Sequence, residues 1–187
     1  LSLIFGMWVA LGLVGLRSAK LRKAAEILCL IPNFLPPLFS LLAILNATEI
    51  FPMGLLGVVV IHTAINFGLV AVMLSRILES KLGSVLELAY VEGASRRQLW
   101  FQVLIPMLRK ELLHIGLFVF IICFGSFSVP LIVGGGMGTT VEVLIYEKIR
   151  LSSEWGQAIV LAFLQSVFIF VLSFIVSRES PVTVSRE

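Results

Sequence analysis

Charged residues in this chain are spaced so that four long stretches carry none. Twenty-two residues separate Glu26 from Glu49, 26 separate Glu49 from Arg76, 30 separate Glu111 from Glu142, and 23 separate Glu154 from Arg178. A helix needs about 20 apolar residues to cross the ~30 Å hydrocarbon core of a bilayer, so each stretch is long enough. The hydrophobic share is 59% and the mean hydropathy +1.08, above the roughly 45–50% apolar share of soluble domains. The expected fold is an all-α membrane protein, a polytopic helical bundle with about five transmembrane spans. These fall near residues 2–16, 27–46, 53–75, 112–132 and 157–177. Residues 1–16 have no basic leader or small-residue cleavage site and do not read as a signal peptide. Sixteen helical residues rise about 24 Å, so the first span is expected to be truncated. Residues 1–177 then form one transmembrane domain, and 178–187 a polar tail or linker.

Orientation follows from lysine and arginine. Arg17, Lys20, Arg22 and Lys23 follow the first run, and Arg76, Lys81, Arg96, Arg97, Arg109 and Lys110 follow the third. With Arg178 and Arg186, twelve basic residues fall on one side, against Lys148 and Arg150 on the other. The positive-inside rule makes the first side cytoplasmic. The net charge of +3 is thus a topology signal and gives no reason to expect nucleic acid.

The cytoplasmic stretch 76–110 contains the longest polar interruption. Ser84 and Glu87 fit a capping box that would start a helix, and Ser95 and Gln98 fit a second. Gly93 between them suits a left-handed helix end. Pro106 should close or kink the second helix. The spacing predicts a helix, a tight turn and a second helix projecting into the cytoplasm.

Within the spans, Pro32, Pro36 and Pro37 predict a kinked or locally unwound second span, tolerated where protein or a wet cavity satisfies the backbone. His62 and Asn66 stand four apart, on one helix face. They are candidate translocation-path residues with Asn33, or else interhelical hydrogen-bond partners. Cys29 and Cys123 read as small packing residues. Thr139 and Glu142 fit a third capping box, opening a helix over roughly 140–150. Its apolar stripe of Val141, Leu144, Ile145 and Ile149 suits a membrane interface.

The sequence offers little to an enzyme. No H-E-x-x-H motif occurs, no carboxylate lies inside a span, and no metal-ligand spacing or cofactor motif is present. The glycines at 134–136 and 138 lack the Gly-Lys pair of a nucleotide-binding loop.

Glu87-x-Ala89-x3-Gly93-x9-Val103-x-Ile105-Pro106 resembles the EAA loop of binding-protein-dependent ATP-binding-cassette (ABC) transporter permeases, whose pattern is E-A-A-x3-G-x9-I-x-L-P. Leu88 replaces the middle alanine. Ser126-Phe127, Leu131 to Gly136 and Thr139-Thr140-x-Glu142-Val143-x-Ile145-Tyr146 are similar to the matching loop of thiamine-type permeases, and less so to iron(III)-type ones. Such proteins are typically fused pairs of six-span halves, and this chain resembles one half. The resemblance implies a multi-pass protein of the bacterial inner membrane that moves a small solute, thiamine first and iron(III) next. It implies as partners a cytoplasmic ATPase dimer, a periplasmic solute-binding protein and a second permease half. ATP hydrolysis would then lie on a separate protein, with Glu87, Ala89, Gly93, Ala94, Ser95 and Pro106 forming the ATPase-coupling loop. The competing expectation is an ATP-independent channel or scaffold subunit.

Overall fold

The computed structural model describes residues 1–48, 50–135 and 140–178, and for residues 81–84, 86, 87, 89, 90, 96 and 100 the backbone alone. Among the described residues the regular structure is helical. The helices are α1 (Ser2–Gly15), α2 (Ala19–Phe34), α3 (Pro37–Ala47), α4 (Leu55–Val91), α5 (Arg96–Gln98), α6 (Ile105–Phe124), α7 (Ser128–Val133), α8 (Val141–Arg150) and α9 (Trp155–Arg178). A π-helical turn, Leu99–Leu104, joins α5 to α6.

The second apolar stretch does not form a straight span. Its two helices, α2 and α3, meet at 105°. Leu35 and Pro36 between them are extended, with ψ of 147° and 134°. A residue before proline is pushed out of the α region, which fixes Leu35. Pro36 has no N–H to give to the Pro32 carbonyl four residues back. The Ser40 hydroxyl donates to that carbonyl instead, at 3.2 Å. Pro37 then occupies the first turn of α3, where its missing N–H costs nothing.

Helix α4 is the axis of the molecule. At 37 residues it is about 56 Å long, and its segment Leu55–Ser80 is apolar enough to cross a membrane. It packs against α1, α2, α6 and α7. One core cluster joins Ala10 of α1 and Val70, Leu74 and Leu78 of α4 to Leu104, Leu108, Ile115 and Val119. A second, toward the start of α4, joins Leu41, Val58, Ile61, Ile65, Val129 and Val133.

Contact between α2 and α4 depends on Gly68. A Cβ there would stand 2.0 Å from the Cys29 carbonyl oxygen and 2.8 Å from its carbon. Backbone cannot yield as a side chain can. Gly68→Ala should therefore cost about 1–3 kcal/mol, the usual range for overpacking, and lower the unfolding temperature in detergent. Gly12→Ala, where a Cβ meets nothing within 4 Å, should leave that temperature unchanged or raise it slightly.

The expectation of about five spans divides. Among the described residues, Leu55–Ser80 and α9 each qualify alone, and the bent α2–α3 pair adds a third if it is one span. Helix α1 has 14 residues. The fourth stretch does not run unbroken to residue 132. Helix α6 ends at Phe124, Gly125 caps it, and α7 restarts at Ser128. The amphipathic helix falls where expected, with Thr140 as N-cap. Thr139, the proposed capping residue, lies outside the described residues. Helix α8 folds against α9, burying Val143, and Gln165 of α9 donates to Glu142 at 2.7 Å. Glu154, just beyond α8, accepts from Lys148 at 2.5 Å.

Candidate coupling hairpin

The hairpin is built from two helices that also carry the core. Helix α4 runs unbroken through Ser84 to Val91, so Ser84 and Glu87 do not start a helix. Extending an existing helix costs far less than ending it and nucleating another. The Leu-Glu-Leu-Ala run favours propagation, and Gly83 alone, at about 1 kcal/mol, does not stop it. The eleven residues after Ser80 carry the helix about 16 Å further.

The turn itself agrees with its sequence signals. Glu92 N–H still bonds the Leu88 carbonyl at 3.0 Å. Gly93 then takes φ +75°, the left-handed conformation that lets a chain leave a helix. Ser95 and Gln98 cap the return helix reciprocally. Gln98 Oε1 accepts from Ser95 N–H at 2.9 Å and from its hydroxyl at 2.7 Å, and Gln98 N–H donates to Ser95 Oγ at 3.4 Å.

Pro106 neither ends nor sharply closes the return helix. It sits in the first turn of α6, directly after the π-helical turn. A proline inside an α-helix would remove one ladder bond and clash with the carbonyl four residues back. The wider π winding just before it relieves that conflict. The return arm is therefore continuous with α6, and Leu104 and Leu108 anchor it in the core.

At the tip, Val91, Leu88 and Phe101 are exposed, Val91 to 86%. Gly93, Ser95 and Arg97 are exposed beside them, and Ala94 is half-buried. Leu88 stands at the middle-alanine position of the EAA pattern, whereas Val91 and Phe101 belong to no motif of the sequence. Their apolar type beside the turn was the available signal. The side chains of Glu87, Ala89, Leu86, Tyr90, Arg96 and Trp100 lie outside the described residues.

Below the hairpin, an ionic cluster ties α2 to α4. Glu26, 6% exposed, accepts from Arg22 at 3.2 Å and from Arg76 at 2.5 Å. Arg22 also pairs with Glu79. Glu79 follows Arg76 by three residues and Glu26 follows Arg22 by four, so each pair shares a helix face. Reading these arginines as topology signals alone missed the cluster.

The candidate path residues separate. Asn33 Nδ2 donates to the Ile65 carbonyl at 2.9 Å and so joins α2 to α4. Asn66 is buried, donating to the His62 carbonyl at 2.9 Å and to Cys123 Sγ at 3.7 Å. His62 lines a cavity of about 500 Å³ with Thr63, Phe120 and Phe124. Among the described residues, no group of three or more His, Cys, Asp or Glu could hold a metal ion.

Comparison with known proteins fits this arrangement. The family model described as "Binding-protein-dependent transport system inner membrane component" matches residues 2–180. The thiamine transport system permease protein ThiP of Escherichia coli K12 is 32% identical over 117 residues, covering 62% of this chain and 22% of that protein. ThiP of Haemophilus influenzae is 33% identical over 128 residues, covering 68% of this chain and 24% of the relative. A putative ferric transport system permease protein, FbpB 1 of Haemophilus influenzae, is 30% identical over 112 residues, covering 58% and 18%. The matched stretches span under a quarter of these relatives' length. By its helical architecture, its hairpin and the match along nearly its whole length, the chain belongs to the inner-membrane components of binding-protein-dependent transport systems, the permeases of ABC transporters.

Proposed function

We propose that this chain forms part of the permease of an ABC importer that moves thiamine across the bacterial inner membrane. A periplasmic binding protein delivers the solute, and a second permease half completes the pathway. A separate ATPase dimer docks on the hairpin formed by the end of α4, the turn at Gly93 and the return through the π-helical turn. Glu87, Ala89, Gly93, Ala94, Ser95 and Pro106 belong to this coupling loop. The observation that carries the reading is continuity. Both arms of the hairpin extend helices that pack in the core, and its tip exposes Leu88, Val91 and Phe101.

The mechanism follows from that continuity. Movement of the tip is a movement of α4 and α6, with no flexible linker to absorb it. Closure of the ATPase dimer would draw two such hairpins together and rock the helices between inward- and outward-open states. A near-complete switch requires about 5.5 kcal/mol of differential binding between the two states, a demand that ATP binding at a rigid interface can meet.

The test is uptake of labelled thiamine into membrane vesicles holding the full-length parent with its partners. Uptake that requires ATP and is unaffected by excess ferric iron supports the reading. Thiamine uptake persisting without ATP favours a channel, and ATP-driven uptake of iron alone replaces the substrate.

A further inference from the structure

Helix α2 is amphipathic inside out. Arg22, Glu26 and Asn33 follow at intervals of four and seven, so they share a face. That face meets α4: Glu26 accepts from Arg76, Arg22 pairs with Glu79, and Asn33 donates to the Ile65 carbonyl. On the other side, Lys20, Lys23, Ile27, Ile31 and Phe34 follow at intervals of three and four and form a second stripe. All five are exposed, Phe34 to 83%. A helix at a water surface buries its apolar stripe. One that turns ionisable groups toward the bundle and apolar groups outward has lipid as its outer solvent.

The charges divide in the same way. Glu26 and Glu79, at the inner face, are taken up by Arg22 and Arg76. Outside, Lys20 and Lys23 head the exposed stripe, and Arg17 is exposed at the corner where α1 leads into α2. None of these three pairs with a carboxylate among the described residues. Ser18 holds the corner as N-cap, its Oγ accepting from Leu21 N–H at 3.4 Å. Since Arg22 and Glu26 reach Glu79 and Arg76, the corner lies toward the hairpin end of α4. From Lys23 to Phe34 the helix rises about 16 Å, half the ~30 Å hydrocarbon core. The stripe is therefore one leaflet deep, with free cations at its headgroup end. A topology signal needs only the number of basic residues. Here they are also segregated from carboxylates and aligned with the apolar stripe.

We propose that the outer face of α2 binds an anionic phospholipid of the cytoplasmic leaflet. Arg17, Lys20 and Lys23 hold the negatively charged headgroup, and an acyl chain lies along Ile27, Ile31 and Phe34. Anionic headgroups attract juxtamembrane lysine and arginine, and the long stems of these side chains let the charge reach headgroup level. An acidic protein surface would satisfy the cations but not the apolar stripe beside them, which lies at the depth of acyl chains.

The full-length parent with its partners is reconstituted in phosphatidylcholine proteoliposomes holding a trace of photoactivatable lipid, with a diazirine on the acyl chain. Adducts are mapped by mass spectrometry. A phosphatidylglycerol probe should label residues 24–35 about fivefold more than a phosphatidylcholine probe with the same chains, the scale of one basic residue near an anionic surface. Lys20→Gln combined with Lys23→Gln should bring that ratio below about twofold. Arg150→Gln, on the opposite side, should leave it unchanged. Labelling of α9 by both probes reports that each variant is inserted. The two probes are compared on the unaltered protein, so the test stands if the double variant fails to fold. Equal labelling by both probes would overturn the proposal and leave an unselective lipid contact. A ratio kept by the double variant would overturn it too. Labelling of α9 without labelling of residues 24–35 would replace the lipid with a protein covering this face. Labelling abolished by excess glycerol phosphate would replace it with free phosphate.

Discussion

Gly93→Val is expected to cut ATP-driven transport at least tenfold, whereas Gly93→Asn retains half or more. The difference lies in the backbone. Gly93 has φ +75°, and a Cβ built on it meets nothing within 4 Å, so space does not forbid a side chain. Conformation does. A left-handed L-residue costs about 1–2 kcal/mol, more for a β-branched one, while asparagine tolerates the region. At roughly 1.4 kcal/mol per factor of ten, valine would shift the turn into other conformations most of the time. Gly93→Asp keeps the turn, as asparagine does, but adds a second carboxylate directly beside the exposed Glu92 at the tip. It should insert and fold yet lose ATPase docking. Uptake by vesicles, normalised to the protein in the membrane, separates the three variants. Equal transport by valine and asparagine would mean that the turn's geometry does not matter to coupling.

Glu26→Ala should destabilise the protein by about 2 kcal/mol, the scale of hydrogen bonds to a charged group. Glu26 is buried and accepts from both Arg22 and Arg76. Its loss leaves Arg22 held by Glu79 alone and Arg76 without its partner on α2. Arg76→Gln should cost much less, under about 1 kcal/mol, because the Arg76 side chain is 60% exposed and water already screens it. Unfolding in detergent, followed by tryptophan fluorescence, ranks the pair. Equal losses would show that the cluster contributes through packing rather than charge. Because α4 leads straight into the hairpin, Glu26→Ala should also weaken the coupling of ATP hydrolysis to transport.

Much of the architecture is legible in the spacing of charges and in short local signals. Gly93 and the Ser95–Gln98 box predict the turn because left-handed backbone and unsatisfied helix-end N–H groups have few solutions. The three prolines of the second stretch likewise predict a kinked or locally unwound span, and the break falls at Leu35 and Pro36. The failures share a cause. Ser84-x-x-Glu87 has the composition of a helix start, yet the same residues serve equally in a helix interior. What decides is that α4 already exists on their N-terminal side. Pro106 reads as a stop, but Leu104 and Leu108 on either side are anchored in the core, and packing carries the helix past it through a π turn. The cluster around Glu26 joins residues fifty apart in sequence, a distance at which spacing rules are silent. His62 was visible as a polar residue in a span, but its cavity depends on Phe120, Phe124 and Thr140 arriving from other helices.

The coupling assignment requires an ATPase docked on the hairpin tip. Photo-crosslinking residues are placed at Val91 and at Phe101, exposed on the two arms of the tip, and in parallel at Phe170, exposed on α9. The full-length parent is irradiated in its own membranes. A covalent adduct with a cytoplasmic ATPase from Val91, and none from Phe170, is the predicted result. No ATPase adduct from Val91 or from Phe101 on the facing arm would contradict the coupling assignment, and the channel or scaffold reading would take its place.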